Sequence, residues 1–218
     1  MDQGNVLYAG QPARRLTRED VRNALPRFTG GPSRTLRVRG DHDLNPGMGR
    51  AAELRHAAVL VPLVDHSDGL TIIFTQRTAH LAAHGGQISF PGGGVEPCDI
   101  DATACALRET DEEIGLPSEK VDVLGRLDTY ITRTGFEITP VVGVIRPPVT
   151  FAPDPFEVAE VFEVPLEFFL EPGNLRKEGR EFQGARRHFY VFPYQDRYIW
   201  GATAGMLVNL VDVLRKAC

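Results

Sequence analysis

An α/β architecture, a mixed β-sheet sandwiched between helices, is expected from three features of this 218-residue chain. Apolar, β-branched runs of strand length recur along it, a helical stretch interrupts them near the middle, and another closes the chain. Strands flanking one central helix, with a second helix at the end, call for a sheet covered on both faces. At this length folding buries roughly 70% of the unfolded surface, so one core suffices without staples.

Residues 16–28 read as a short helix, because Thr17 is a suitable N-cap with Asp20 three positions on. Residues 29–50 are glycine-rich, carry Pro32 and Pro46, and read as an exposed connection. Residues 56–66 and 70–76 are strand-like runs around Ser67-Asp68-Gly69, a hairpin signal. Gly92-Gly93-Gly94 reads as a turn, and 99–114 as a helix ended by Gly115 and Pro117. Further strands are expected over 121–129, 137–145, 159–164 and 188–193. The last helix, 202–216, places Met206, Leu207, Leu210, Val213 and Leu214 on one stripe. Residues 1–55 thus form an extension with a short helix and a Gly/Pro-rich connection, and 56–218 the main domain. A cover for the site or a homodimer contact are the roles open to the extension.

Lys and Arg total 24 against 29 Asp and Glu, a net charge of −5. That balance argues against broad binding of nucleic acid or acidic lipid, so an anionic substrate needs local attraction. Cys98, Cys105 and Cys218 form neither an even framework nor a Cys-x-x-Cys pair, which points to a reducing compartment. The first 15 residues lack an apolar signal core, and the apolar run 57–64 is broken by Pro62 and too short for a bilayer. A cytoplasmic protein without membrane or nucleic-acid partners is expected.

Projected at about 100° per residue, Ile100, Leu107 and Ile114 fall on one side of the central helix and read as its core-facing stripe. Glu109, Glu112 and Glu113 share an arc on the opposite side, above the small residues Ala102, Cys105 and Ala106. Carboxylates this close repel unless a cation sits among them, and hard oxygen donors suit Mg²⁺ or Mn²⁺. The alternative is a solvated acidic face, which the macrodipole disfavours near a helix C-terminus. Phe90-Pro91-Gly92-Gly93-Gly94 precedes the helix and leaves bare backbone that can approach a metal or phosphate. The pattern Arg108-Glu109-x-x-Glu112-Glu113-x-Gly115 fixes positions that recur by chance about once in a million windows.

This segment resembles the Nudix box, the mark of the Nudix hydrolases. The family pattern runs from a glycine over five residues to a glutamate, over seven more to Arg-Glu, then to a Glu-Glu pair and a glycine. Here Asp99 takes the glutamate's place after Gly93, eight residues separate it from Arg108-Glu109, and Thr110 replaces an aliphatic residue. The longer loop, Glu96-Pro97-Cys98-Asp99, is similar to that of the coenzyme A pyrophosphatase branch. Thr75-Gln76-Arg77, Gly86 and Phe90-Pro91-Gly92-Gly93 resemble the branch signature upstream of the box, where Thr78 replaces a Ser or Ala and Ala82 an arginine. Thr139-Pro140-Val141-Val142-Gly143 and Ile199-Trp200-Gly201-Ala202-Thr203-Ala204 also resemble it, so the similarity covers residues 58–210.

The resemblance implies a Nudix-type fold and metal-dependent hydrolysis of the pyrophosphate bond of coenzyme A or its derivatives, giving 3′,5′-ADP and (acyl-)4′-phosphopantetheine. It implies that Glu109, Glu113 and Glu112, with the Gly93 carbonyl, hold Mg²⁺ or Mn²⁺, and that Arg77, Gly92 and Gly93 bind substrate. Glu112, Glu113 and Arg108 are the catalytic candidates, with Glu157 and Glu160 as alternative general bases. Arg108 either orients a glutamate or phosphate or is an exposed partner of Glu112. A Nudix enzyme for ADP-ribose or a dinucleotide is the alternative; a non-catalytic nucleotide-binding module fits less well, since all three carboxylates remain.

His80 and His84 are spaced i,i+4 without an acidic or thiol partner at zinc spacing, and read as loop or substrate contacts. Cys105 reads as packing rather than a nucleophile. Phe182, Phe189, Tyr190, Phe192, Tyr194, Tyr198 and Trp200 read chiefly as core filling, with base stacking as the other role.

Overall fold

The computed structural model describes residues 15–25, 36–48, 51, 53–80, 85–182 and 184–217. In chain order its elements are α1 (Arg18–Ala24), β1 (Val38–Gly40), β2 (Arg55–His66), β3 (Gly69–Arg77), β4 (Ile88–Ser89) and β5 (Gly92–Gly94). Then come α2 (Ala102–Ile114), β6 (Val121–Arg126), β7 (Thr129–Ile131), β8 (Phe136–Ile145), β9 (Val158–Pro165) and α3 (Leu166–Leu170). The chain closes with β10 (Arg176–Phe182), β11 (Ala185–Tyr194), β12 (Arg197–Trp200) and α4 (Gly201–Ala217).

The spine of the large sheet is β2, buried on both faces, as its nearly continuous apolar sequence requires. Val59, Val61 and Leu63 face one core, while Ala58, Leu60 and Val64 face the other. The sheet runs β1-β7-β8-β2-β3-β4, with β5 beside β2, β6 beside β8 and β9 beside β3. The β1–β7 and β2–β8 pairs are parallel and the rest antiparallel. Pro62 sits where β2 changes its antiparallel partner from β5 to β3, so its missing N–H costs no ladder bond on that side.

Helix α2 covers one face of the sheet; α1, α3, α4 and the small sheet β10-β11-β12 cover the other. This is the expected mixed sheet between helices. Thr17 caps α1 in a reciprocal box with Asp20, and Val21 and Leu25 join the core that holds α4. All five residues expected on the α4 stripe are buried.

Five expectations are corrected. The glycine triplet is a strand, not a turn: Gly92–Gly94 pairs with Ala57–Val59, and a Cβ on Gly92 would lie 2.4 Å from the Ala58 carbonyl oxygen. Helix α2 starts at Ala102 with Asp101 as its N-cap, which leaves Ile100 outside the helix and 92% exposed. The buried face of α2 is Cys105, Ala106, Thr110, Glu113 and Ile114, because the small residues let the helix lie close against the sheet. Glu109 and Glu113 therefore border the sheet, while Glu112 of the same arc points outward as expected. Helix α1 ends at Ala24, and residues 26–28 of the longer helix expected there lie outside the described residues. The strand expected over 121–129 divides into β6 and β7 at Leu127-Asp128. The charged β10 escaped sequence reading, since an edge strand with little burial shows no apolar alternation. Among the described residues no helix is long and apolar enough to cross a membrane.

Candidate active site

The C-terminal half of α2 meets β5, the end of β3 and the loop before β9. Gly115, with φ 65°, ends α2 in the left-handed conformation and turns the chain away. The loop returns beneath the helix end, where Ala152 N–H donates to the Ile114 carbonyl at 2.8 Å and Asp154 N–H to that of Glu113 at 2.9 Å. Thr78, just past β3, anchors the same loop: its N–H donates to the Glu157 carbonyl at 2.9 Å and its hydroxyl to that of Phe156 at 2.7 Å. Glu157 is thereby carried to the end of β3 and the buried face of α2.

Glu113 is 4% exposed, and Arg77 Nη1 donates to its Oε1 at 3.3 Å. Its Oε2 is buried without a hydrogen-bond partner among the described residues. Burial pushes its carboxyl up to about 7; Arg77 opposes the rise and Glu157 adds to it. The other arm of Arg77 lies 3.5 Å from Glu157 Oε2. Glu109 is also raised by burial, against the pull of Arg108. A Cβ on Gly93 would fall 2.5 Å from Glu109 Oε2, so only a bare backbone admits this carboxylate beside β5.

Arg108 organises the outer side. Its Nε and Nη2 donate to Asp99 Oδ1 and Oδ2, both at 3.0 Å, and Nη2 also reaches the Gly94 carbonyl at 3.2 Å. Its Nη1 lies 3.1 Å from Glu109 Oε1 and 2.9 Å from Glu112 Oε2. Arg108 holds the Asp99 carboxyl well below its usual range, at about 2. Sequence reading placed Asp99 only as a box position and missed this clamp; an acidic residue ahead of a helical arginine was its one signal.

Of the other residues, Gly92 lies in β5, and Glu112, with a side chain 60% exposed, faces outward on Arg108. Glu160 is taken up by Arg197 through bonds of 2.7 and 2.8 Å and is held below its ordinary range. His80 packs edge-on against Phe156, ring centroids 4.9 Å apart, while Ala82 and His84 lie outside the described residues. Cys105 is buried, its thiol pushed up to about 11 chiefly by burial, which suits packing and not nucleophilic attack. The aromatic run divides: Phe192 enters the core against Phe169, whereas Tyr198 is 44% exposed.

Among the described residues, no three His, Cys, Asp or Glu side chains converge into a ready cation cage, since arginines engage the carboxylates. The donor set nonetheless fits a hard divalent ion: an unpartnered buried carboxylate oxygen on Glu113, and Glu109 held against bare backbone at Gly93.

The NUDIX domain family matches residues 54–195. A Cronobacter sakazakii relative named Nudix hydrolase NudL, itself uncharacterised, is 40% identical over 168 residues, covering 77% of this chain and 87% of its own length. Nudix hydrolase 15, mitochondrial, of Arabidopsis thaliana is 40% identical over 166 residues, covering 73% of this chain and 58% of that protein. Among solved structures, the NUDIX domain of Shewanella oneidensis NrtR with ADP ribose aligns at TM-score 0.45 and 17% identity, over 81% of this chain and 96% of its own. With the box residues gathered between α2, β5 and the end of β3, the chain belongs to the NUDIX family and is a Nudix hydrolase acting on pyrophosphate bonds.

Proposed function

We propose that the protein hydrolyses the pyrophosphate bond of coenzyme A or its derivatives with Mg²⁺ or Mn²⁺. Water adds to one phosphorus, the bridging P–O bond breaks, and 3′,5′-ADP and (acyl-)4′-phosphopantetheine leave. The buried, unpartnered Oε2 of Glu113, near Glu109 and the bare backbone of Gly93, carries the metal-dependent part of this reading. Coenzyme A is supported by the segments that resemble its pyrophosphatases: Thr75-Gln76-Arg77 ends on the arginine that contacts Glu113, and Phe90-Pro91-Gly92-Gly93 runs into β5.

Glu109 and Glu113 would hold the metal, with Glu112 and the Gly93 carbonyl as further ligands. The ions supply the positive charge that an acidic protein needs to accept a pyrophosphate and to stabilise its leaving oxygen. Arg108 holds Glu109 and Glu112 in place from its seat on Asp99. Arg77, between Glu113 and Glu157, is placed to turn a guanidinium toward a phosphate oxygen. Glu157 takes the proton of the attacking water; it is half-buried beside Arg77, whereas Glu160 is committed to Arg197 and Glu112 faces outward.

Incubation with coenzyme A, ADP-ribose, NADH and diadenosine polyphosphates in each metal, with products separated by chromatography, tests the reading. Release of 3′,5′-ADP from coenzyme A is expected as the fastest reaction. Preferential cleavage of ADP-ribose would refute coenzyme A as the substrate.

A further inference from the structure

The small sheet carries chemistry that the hydrolytic site does not use. In the antiparallel register of β10 and β11, Arg180 stands directly opposite Arg187. Like charges opposite one another on one face of a ladder repel, and Arg187 Nε is buried without a hydrogen-bond partner among the described residues. Two positions along, on the same face, Glu178 stands opposite Phe189, and beyond them Val191 is opposite Trp200. Phe189 and Trp200 meet edge to face with centroids 5.3 Å apart. Tyr198 tilts against Trp200 at 6.5 Å and donates its hydroxyl to Glu178 at 2.6 Å.

Phe192 and Ile199, on the opposite face, belong to the main core, while Val191 is fully buried on the arginine face. The arginine face therefore leaves Phe189 and Trp200 half-buried and Tyr198 exposed, with Arg180 and Arg187 at paired register positions, on a chain whose net charge is −5. Burying apolar surface and supplying an anion are the two ways to relieve that arrangement, and one ligand can do both.

Both ends of the sheet touch segments that continue into β2 and β5, the strands beside the carboxylate helix. At the hairpin tip, the Arg133 guanidinium lies 4.2 Å over the Phe182 ring, and Arg133 belongs to the turn between β7 and β8. The neighbouring Gly135 carbonyl accepts from Arg55 N–H at the start of β2, the strand that pairs with β5. At the other end Thr203, just after β12, donates to the Ile88 carbonyl at 3.2 Å, and β4 runs through Phe90-Pro91 into Gly92 and Gly93.

We propose that this face binds the phosphorylated nucleoside end of the substrate, with the base against Phe189 and Trp200 and a phosphate monoester between Arg180 and Arg187. The inference rests on the reading of coenzyme A as substrate, whose nucleoside half carries such a monoester.

Trp200 is the single tryptophan of the chain, so its fluorescence reports on the face directly. The full-length protein is titrated in EDTA, which prevents turnover, with adenosine 3′,5′-bisphosphate, AMP and 4′-phosphopantetheine. The bisphosphate is expected to quench Trp200 saturably, AMP to bind about tenfold more weakly, and phosphopantetheine to leave the signal unchanged. Arg187→Gln and the exposed, fold-neutral Arg180→Gln should each weaken the bisphosphate about tenfold, leave AMP unaffected, and raise KM for coenzyme A by a similar factor.

An affinity for the bisphosphate in both arginine variants equal to that of the wild type would overturn the inference, even if coenzyme A is cleaved. A Trp200 signal that follows protein concentration and ignores nucleotide would also overturn it, by marking a contact between copies of the chain. Bisphosphate binding that is lost in the variants, in a protein that leaves coenzyme A intact, would instead sink the proposed reaction and support the binding face.

Discussion

Arg108 and Asp99 meet through two parallel hydrogen bonds of 3.0 Å, and this pair ties the loop ahead of α2 to the helix that carries the carboxylates. Because the same guanidinium also reaches Glu109 and Glu112, Asp99 acts on the site through Arg108.

Replacing Asp99 with Asn should lower kcat by about tenfold or more, with little change in fold, because Arg108 loses its fixed anion. The pair also sets an acid dependence. The Asp99 carboxyl is depressed from 3.8 to about 2 in the folded protein, so its stabilisation is present above 3.8 and disappears as pH falls through about 2. Urea midpoints of the wild type and Asp99→Asn should differ at pH 7 and converge near pH 2.

Glu113 has the opposite sign. Its carboxyl rises from 4.5 to about 7 on folding, so without metal the protein should lose stability as pH rises from about 4.5 to 7 and then level off. Glu113→Gln carries no such charge. In EDTA at pH 8 it should melt above the wild type, while its turnover in Mg²⁺ falls by a factor on the order of 10². Added Mg²⁺ should raise the wild-type melting temperature and barely move that of the variant. A lower melting temperature for the variant in EDTA would contradict the view that burial of this carboxylate costs more than its contact with Arg77 returns.

Gly93 and Gly94 are adjacent in β5 yet should respond differently to a methyl group. A Cβ on Gly93 meets the Glu109 carboxylate at 2.5 Å, while one on Gly94 meets nothing within 4 Å. Gly93→Ala is expected to cost at least tenfold in kcat/KM by displacing Glu109, and Gly94→Ala less than threefold. Steady-state kinetics on the two variants, with melting curves to confirm folding, decides the matter.

Glu157 and Glu160 separate the base from a structural carboxylate. Glu157→Gln should reduce kcat by about 10² and flatten the acid limb of the pH–rate profile. Glu160→Gln loses the Arg197 pair near the surface, worth about 0.2–1 kcal/mol, and should leave kcat within about twofold. The reverse order of effects would move the general base to β9.

The amino-acid sequence alone determined what depends on neighbours within a few positions. The Thr17–Asp20 cap, the Ser67-Asp68-Gly69 hairpin, the α4 stripe and the helical run from Arg108 to Gly115 are local patterns, set by backbone geometry and side-chain periodicity. Tertiary structure decided which face of α2 is buried, since Cys105 and Ala106 pack against the sheet more closely than any stripe of larger residues would, leaving Ile100 outside. It also made a strand of the glycines, because three residues without side chains become β5 only when Ala57–Val59 lies alongside to take their hydrogen bonds. The pairings of Arg77 with Glu113 and of Arg180 with Arg187 follow from strand register and helix docking, long-range geometry that residue type and spacing do not encode.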